Sequence, residues 1–459
     1  MFENLFHLKE HKTTTKVELM AGLTTFVTMA YILAVNPNML SVAGMDQSGV
    51  LAATCLASFV GCLMMALLAN YPFALAPGMG LNAYFTYTVC GVMEYPWQVA
   101  LLAVFVEGII FILLSLTNVR EAVFNAIPMS LKHGASAGIG LFIAFIGLQN
   151  AHLVVKEDST LVTSVKFAAN FHTEGICALL AVAGVLLIAI LYIKKVKAAI
   201  LIGIVATWLL GMICQAAGIY VPNPEAGYYS LFPAQIVNFH MGSLFRSFSS
   251  TAFHIFDSGL GGIGILDFIA VMFAFLFVDL FDTLGALIGL ASKADMLDQD
   301  GKLAKARGAL LADAIATSVG ALFGTSTTTT YVESSAGIAA GGRTGLTALT
   351  TGVLFLLALP FGPLFTSIPG FATAPALIFV GFLMISSVLK IDFDQWEEAV
   401  PAYLCLLVMP LAYSVSEGLS IGIISYVVIH VCLGKAYMKK VTPLMYILCL
   451  LFVCKYIFL

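Results

Sequence analysis

TSTTTTYVESSAGIAAGG, residues 325–342, is the stretch that decides the fold of this chain. Five threonines and one serine open it, and a single carboxylate, Glu333, follows before a run of small residues. The hydroxyl residues favour a short extended segment, and the run from Ser334 predicts a helix too short to cross a bilayer. Non-helical backbone at membrane depth is tolerated where it is buried in protein or lines a cavity. The stretch therefore predicts a transporter's binding site, and the alternative is a polar re-entrant loop that holds no ligand.

The composition places this stretch in a membrane protein. Of the 459 residues, 60% are hydrophobic and only 10% are charged, which excludes an ordinary soluble domain. The nine cysteines form no CxxC pair and mostly lie in apolar runs, so neither a metal site nor a disulfide framework is expected. The first long apolar run lacks a cleavage site, which favours a spanning helix over a signal peptide.

Apolar runs of sufficient length predict twelve spanning helices. They cover roughly residues 17–40, 50–69, 97–116, 134–150, 175–193, 198–217, 266–291, 307–323, 344–366, 372–390, 398–415 and 417–434. Two short, broken segments at about 74–91 and 325–342 bring the expected number to fourteen. A last apolar run, 443–458, contains Lys455, and the sequence leaves open whether it spans the membrane or lies on it.

The two halves of the chain resemble each other. Residues 135–145 align without gaps on residues 372–382, and each half has seven elements with the broken one third. An odd number per half requires opposite orientations in the membrane, which predicts a 7+7 inverted repeat. The expected division is a cytoplasmic N-terminus 1–16, a first repeat 17–217, an extracellular connection 218–265, a second repeat 266–434, and a tail 435–459 with a short apolar segment.

The positions of lysine and arginine predict the orientation. Basic clusters at residues 9–16, 194–197, 293–307 and 435–440 all fall on one side if fourteen segments cross. We therefore expect a multi-pass protein of the plasma (cytoplasmic or inner) membrane, with its N-terminus and basic loops in the cytoplasm.

FALAPGMGLNAYF, residues 73–85, is the predicted partner of the opening stretch. Pro77, Gly78 and Gly80 break its backbone, and Asn82 is the one amide in the half-helix that follows. Two half-helices that meet near the midplane point their positive ends at one spot, where free N–H groups can bind a carbonyl or carboxylate. Asn82 is interpreted either as a ligand contact or as a helix cap.

A third motif, FLFVDLFDTLGALIGLA at residues 275–291, holds two carboxylates. Asp279 and Asp282 are three residues apart and share a helix face. Carboxylates are costly within an apolar helix and mark functional sites, and the adjacent spans contain no lysine or arginine beyond Arg307 at the start of one, so pairing of both carboxylates is not expected. Near Glu333 at low dielectric, at least one carboxylate is expected to hold a proton, as proton coupling requires.

Other polar residues and small residues within the spans are interpreted as follows. Glu107 and Asp313 are predicted to hydrogen-bond between helices, and Asn36-Pro37 is predicted to end the first helix. The threonines of the first span bond back to carbonyls or face the site; they are Thr24, Thr25 and Thr28. Small residues in the fifth element of each repeat predict a surface that slides; they are Gly134, Ala135, Ala137, Gly138, Ala372 and Ala374.

With these motifs, the chain resembles the AzgA-like purine permeases within the nucleobase/ascorbate transporter superfamily. The resemblance covers nearly the whole chain and rests on APGMGLNAYF at 76–85, VDLFDTLGALIGLA at 278–291 and the opening stretch. Its Thr-Thr-Tyr-x-Glu core is similar to the Thr-Thr-Tyr-Gly-Glu of the superfamily, with Val332 where glycine is common.

The resemblance implies a secondary transporter, not an enzyme, that imports guanine, hypoxanthine and/or adenine by proton symport. It implies an all-α protein of about fourteen transmembrane segments, with strand/half-helix pairs in segments 3 and 10 and with core and gate domains. Substrate contacts are expected from Asn82, Asp279, Phe281, Thr330, Tyr331 and Glu333, and proton coupling from Asp282 and Asp279. Tyr84 is a further candidate for stacking on a flat ring.

No cofactor, metal or nucleic acid is expected. The expected partners are the purine, protons and the lipid bilayer, and a homodimer is left open. The alternatives are a transporter of the same fold for uracil, xanthine or an anion, and an intramembrane enzyme. An anion site would favour a cation beside the half-helices, and an enzyme would need a nucleophile with its base or a set of metal ligands.

Overall fold

The computed structural model describes residues 2–116, 128–157, 159–168, 170–223, 229–238, 241–257, 259, 263–294, 296, 303 and 305–458. Within these ranges, nine helical segments are long and apolar enough to cross a membrane. They are Thr15–Ser41, Gln47–Leu68, Trp97–Leu116, Met129–Asn150, Phe171–Ile193, Ala199–Ala216, Ala306–Phe323, Gly345–Thr366 and Gly370–Lys390. The predicted fold class, a helical polytopic membrane protein, is confirmed; the number of fourteen segments stays a prediction.

Within the described residues, the first half of the chain contains α-helices, two π-helical turns and three short strands. Its α-helices are α1 (Phe2–Phe6), α2 (Thr15–Met29), α3 (Ile32–Ser41), α4 (Gln47–Leu68), α5 (Met79–Ala83), α6 (Trp97–Leu116), α7 (Met129–Asn150), α8 (Ile176–Ile193) and α9 (Ala199–Ala216). Its strands are β1 (Leu75–Pro77), β2 (Val154–Glu157) and β3 (Leu161–Ser164), and π-helical turns cover Tyr84–Val92 and Phe171–Gly175.

The second half contains the remaining strand, β4 (Thr328–Thr330). Its α-helices are α10 (Met241–Ser249), α11 (Ile265–Lys293), α12 (Ala306–Phe323), α13 (Ser334–Ala339), α14 (Gly345–Ala358), α15 (Gly362–Thr366), α16 (Gly370–Ile385), α17 (Trp396–Leu411), α18 (Val415–Cys432), α19 (Lys435–Met438) and α20 (Pro443–Phe458). Short 3-10 helices cover His254–Phe256, Leu359–Phe361 and Ser386–Lys390.

Two short stretches of extended backbone pair at the centre of the fold. β1 and β4 are antiparallel, with Ala76 opposite Thr329. The pairing continues on both sides, because the Gly78 N–H donates to the Thr327 carbonyl at 3.0 Å and the Tyr331 N–H donates to the Ala74 carbonyl at 3.0 Å. Each strand is followed by a short helix, α5 or α13. The predicted strand/half-helix pairs are therefore confirmed.

The prediction that Asn36-Pro37 ends the first helix is wrong. The break lies earlier, between α2 and α3, and both residues lie inside α3. Pro37 follows the first turn of α3, so it removes one backbone hydrogen bond without ending the helix. The buried Asn36 amide donates to the hydroxyls of Thr54 at 2.8 Å and Thr325 at 2.9 Å. These bonds hold α3 against α4 and against the start of the polar stretch.

The helices pack in two groups. The first contains α2–α6 and α11–α14, and the second contains α7–α9 and α16–α18. In the first group, α4 packs on α14 as α12 packs on α6, and in the second, α17 packs on α7 as α8 packs on α16. The two groups touch where α5 meets α7, where α9 meets α2 and where α18 meets α11, among other contacts. Each contact within a group joins one helix from each half, and its counterpart exchanges the two halves, which is the pattern that an inverted repeat produces.

Two of the small residues of α7, Gly134 and Gly138, face α17 and not the first group, as a sliding surface would require. A Cβ atom on Gly134 would lie 2.7 Å from the Ala402 carbonyl oxygen, and one on Gly138 would lie 2.6 Å from the Met409 sulfur. Both neighbours belong to α17, in the same group as α7. The expectation of a sliding surface at these glycines is wrong, because they instead allow close packing within one group.

Gly381 tests this close packing. A Cβ atom there would lie 2.4 Å from the Gly140 carbonyl oxygen and 2.7 Å from the Ala144 Cβ. We expect Gly381→Val to force α16 away from α7 and to destabilise the protein by about 1–3 kcal/mol, as overpacking does. Thermal unfolding of the purified protein measures the effect. Gly370→Val is the control, because no atom lies within 4 Å of a Cβ at that position; equal melting temperatures for the two variants would contradict the prediction.

Candidate functional site

A cavity of about 140 Å³ lies between the two helix groups, beside the paired strands. The first group supplies a polar wall of Tyr31, Gly78, Met79, Gly80, Asp282, Ala286, Thr329, Thr330, Tyr331, Val332 and Glu333. The second group supplies an apolar wall of Val380, Leu383 and Met384, all from α16.

The start of α5 supplies backbone donors at this cavity. Met79 and Gly80 lie in the first turn of α5, where a helix offers its N–H groups no acceptor of its own. The first N–H groups of α13 differ, because Ser334, Ser335 and Ala336 donate to carbonyls three residues earlier at 2.9 to 3.1 Å. Val332 and Glu333 precede these residues and also line the cavity, so backbone contacts from both half-helices stay a prediction.

Glu333 lies at the edge of the cavity, immediately before α13. Its Oε1 accepts a hydrogen bond of 2.7 Å from the hydroxyl of Tyr31. Tyr31 occupies the break between α2 and α3 and is 1% exposed. Sequence reasoning missed this residue, although a tyrosine within an apolar span needs a hydrogen-bond partner for its hydroxyl when it is buried.

The two aspartates of α11 face different surroundings. Asp282 lines the cavity, with Oδ2 4.0 Å from where a Cβ on Gly80 would lie. Asp279 is fully buried and does not line the cavity; its Oδ1 accepts from the hydroxyl of Thr283 at 3.2 Å. Sequence spacing placed the two carboxylates on one helix face, and the structure brings only Asp282 to the same cavity as Glu333.

A buried hydroxyl cluster lies behind β4. The Thr283 hydroxyl is within hydrogen-bond distance of Asp279 Oδ1 at 3.2 Å, Asp313 Oδ2 at 2.9 Å and the Thr329 hydroxyl at 2.8 Å. Thr329 also lines the cavity, so it connects the cluster to the candidate site.

The hydroxyl run that opens the stretch also reaches α6. The Thr327 hydroxyl donates to Glu107 Oε2 at 3.3 Å, and both side chains are fully buried. The Thr283–Asp313 contact confirms that Asp313 hydrogen-bonds between helices, whereas Thr327, the partner of Glu107 here, lies in the non-helical segment before β4.

The remaining predicted contacts divide into lining and supporting residues. Thr330 and Tyr331 line the cavity, and the Tyr331 hydroxyl donates to the Pro77 carbonyl. Asn82 lies outside the cavity wall; its Oδ1 accepts from Ser326, and its Nδ2 has no acceptor among the described residues. Asn82 therefore joins α5 to the segment before β4.

The structure describes Tyr84 and all three threonines of α2, but the side chain of Phe281 lies outside the described residues. Tyr84 does not line the cavity, and its ring packs edge-on against Phe275 at 4.8 Å between centroids. All three threonines bond back to helix carbonyls; the contacts are Thr24 to Met20 at 2.9 Å, Thr25 to Ala21 at 3.1 Å, and Thr28 to Thr25 at 2.7 Å.

A second cavity of about 610 Å³ adjoins the first. It shares Val332, Glu333 and Leu383 with the smaller cavity and extends to Lys195 and Lys197. The candidate site therefore opens toward the side of the molecule that carries this basic loop.

Comparison with known proteins gives a consistent result. A family profile described as "Permease family" (Xan_ur_permease) matches residues 16–421. The chain is 48% identical over 457 residues to a putative permease of Methanocaldococcus jannaschii, which covers 100% of this chain and 98% of the relative. It is 44% identical over 452 residues to a guanine/hypoxanthine permease of Bacillus subtilis, with 98% of both chains covered. It is 40% identical over 459 residues to an adenine permease of Escherichia coli, covering 100% and 96%.

A solved structure supports the fold. The transmembrane domain of a cyanobacterium bicarbonate transporter aligns with a TM-score of 0.64, covering 89% of this chain and 97% of that one. The sequences are 16% identical, so this likeness concerns the fold alone.

Val332 tests whether the site is open on the side of the basic loop. Val332 is 58% exposed and lines both cavities, whereas Thr328, the first residue of β4, is fully buried. In a variant without native cysteines, we expect Val332→Cys to react rapidly with a water-soluble maleimide and Thr328→Cys to stay unlabelled. Mass spectrometry of the labelled protein measures both. Similar labelling of the two positions would show that the larger cavity does not admit solvent.

Proposed function

This chain belongs to the Permease family, and on that premise we propose that it imports purine nucleobases (guanine, hypoxanthine and/or adenine) by proton symport. It is a multi-pass membrane transporter rather than an enzyme. The observation that carries the proposal is the Glu333 carboxylate, which Tyr31 holds at the edge of a cavity between the two helix groups. The printed activities of the Bacillus subtilis and Escherichia coli relatives support purines as the substrate class.

The polar wall of the cavity complements the edge of a purine. A purine carries ring N–H and exocyclic amine donors on neighbouring atoms, and a carboxylate accepts such donors in a fork. Glu333 has the capacity, because an ionised carboxylate accepts about four hydrogen bonds and Tyr31 uses one. The N–H groups of Met79 and Gly80 suit the acceptor atoms of the base.

The apolar wall complements the faces of a flat ring. Leu383 and Met384 lie opposite the strands, and the thioether of methionine makes favourable contacts with aromatic rings. Tyr331 offers an aromatic ring from the polar side. An anionic substrate fits less well, because Asp282 and Glu333 both line the cavity and would repel it.

The two helix groups supply opposite walls, so a relative movement of the groups would open and close the site. We assign the first group as the core, which carries most of the substrate contacts, and the second as the gate. This assignment is consistent with the predicted repeats at 17–217 and 266–434 and with the predicted extracellular connection between them. Proton coupling would act through the aspartates of α11, Asp282 at the cavity and Asp279 behind β4.

Glu333→Gln tests the substrate site. An amide cannot accept a full donor fork, and loss of a hydrogen bond to a charged group costs about 1.5–3 kcal/mol, so purine affinity should fall by about tenfold or more. Isothermal titration of the purified protein with guanine, hypoxanthine and adenine measures the loss. Glu107→Gln is the matched control, because Glu107 is a buried carboxylate that does not line the cavity. Unchanged affinity in Glu333→Gln would remove this residue from the site.

The coupling ion has its own test. If protons drive import, uptake of radiolabelled purine by cells rises as the external pH falls, because protonation of the outward-facing carrier precedes translocation. A protonophore at constant sodium should abolish accumulation. The proton assignment fails if accumulation survives the protonophore and is lost when sodium is removed.

A further inference from the structure

The Thr283 hydroxyl has three possible hydrogen-bond partners but only one hydrogen to donate. A hydroxyl group donates one hydrogen bond and accepts at most two. Its three neighbours are Asp279 Oδ1 at 3.2 Å, Asp313 Oδ2 at 2.9 Å and the Thr329 hydroxyl at 2.8 Å. If Thr329 donates to Thr283, then Thr283 donates to one of the two aspartates.

The contact of Thr283 with the other aspartate then depends on whether that carboxyl group holds a proton. An ionised carboxylate has no hydrogen to donate, so it would face a lone pair of Thr283 at hydrogen-bond distance. The contact becomes favourable if that carboxyl group carries a proton and donates it to Thr283. All three contacts are thus satisfied together when Asp279 and Asp313 hold one proton between them.

The buried surroundings favour one proton shared by Asp279 and Asp313 over two ionised carboxylates. Asp279, Thr283 and Asp313 are fully buried, and Thr329 is 3% exposed. Two like charges bridged by one hydroxyl in a buried site repel each other strongly, and one shared proton removes that repulsion. The sequence contains no lysine or arginine between Arg246 and Lys293, or between Arg307 and Arg343.

Several charged residues of the same helix group have contacts of their own. Arg307, the cation closest to Asp313 in sequence, is exposed and donates to the Leu116 carbonyl at 2.9 Å. The other carboxylates around the strands are Glu107, which accepts from Thr327, and Asp282, which lines the cavity.

We propose that Asp279, Thr283 and Asp313 form a proton-binding site behind β4, separate from the substrate cavity and linked to it by Thr329. The transport role of this site rests on the proposed function. Binding converts one carboxylate into a carboxylic acid and needs no other reactant. A proton that reaches Thr329 from the cavity is passed on when Thr329 gives its own hydrogen to Thr283 and Thr283 gives its hydrogen to an aspartate. Each hydroxyl keeps one hydrogen throughout.

The site explains how substrate and proton could affect each other without direct contact. Thr329 lies on β4 between Thr328 and Thr330, and β4 leads through Tyr331 to Glu333. A shift of β4 when purine binds at Glu333 would move the Thr329 hydroxyl relative to Thr283. The proton would then leave only from one conformation of the strand.

Infrared spectroscopy of the purified protein without substrate tests the proton itself. A buried carboxylic acid has a C=O stretching band that shifts to lower frequency in deuterium oxide. We expect this band in the wild-type protein and its loss in Asp279→Asn and in Asp313→Asn, whereas Glu107→Gln, a change at a buried carboxylate of the same core, retains it. Retention of the full band in both aspartate variants would overturn the proposal. This measurement needs no purine, so its result stands apart from the proposed substrate.

Transport in proteoliposomes tests the role of the proton. The Asp313→Asn amide still donates to Thr283 and imitates the protonated acid, so we expect substrate exchange to persist while proton-driven accumulation is lost. Thr283→Val should also lose accumulation, and Thr283→Ser should restore it. Accumulation in Asp313→Asn equal to that of the wild type would overturn the coupling role. So would accumulation that follows a sodium gradient alone, because the cluster would then serve a cation and not a proton.

Discussion

The hydrogen bonds between β1 and β4 are the constraint on which the rest of the structure depends. The lipid interior offers no partners for backbone N–H and C=O groups, so a spanning chain leaves helical structure only where protein replaces those partners. Here each interrupted segment supplies what the other lacks, from Ala74 and Tyr331 at one end to Gly78 and Thr327 at the other. The pairing allows two short helices to begin inside the membrane, and the cavity lies where the strands give way to them.

Side-chain hydrogen bonds around these strands also replace partners that the lipid cannot offer. Asn36 donates to Thr325, Thr327 donates to Glu107, and Thr317 donates to the Thr328 carbonyl. Each bond ties the strand region to a different helix of the first group. Polar side chains that would be costly in lipid thereby become the contacts that fix β4 in place. The second group contributes apolar side chains to the same cavity, so the chemistry and the shape of the site come from different helix groups.

The sequence predicted the fold more completely than the site. Long apolar runs, the Pro-Gly break at 77–80 and the threonine run at 325–330 sufficed for nine of the predicted spans and for the strand/half-helix pairs, because these patterns depend on local composition. The separation of Asp279 from Asp282 was not predictable, since three residues place two side chains on one helix face but leave about 60° between them. Tyr31 was missed because its bond to Glu333 joins positions 302 residues apart. The positions of Gly134 and Gly138 were misread because small residues favour close packing without indicating which helix is close.

The pairing of β1 with β4 also has a consequence for how the protein is made. The 250 residues between Pro77 and Thr328 separate the two strands in synthesis. At about 5–20 residues per second, the ribosome takes roughly 10–50 s to produce the second strand after the first. Throughout that interval the first strand has no partner, and its backbone groups must be satisfied by water, by the insertion machinery or by a provisional helix. The ligand cavity therefore cannot form until the second half of the chain has entered the membrane, and a chain that stops after the first repeat has inserted helices but no site.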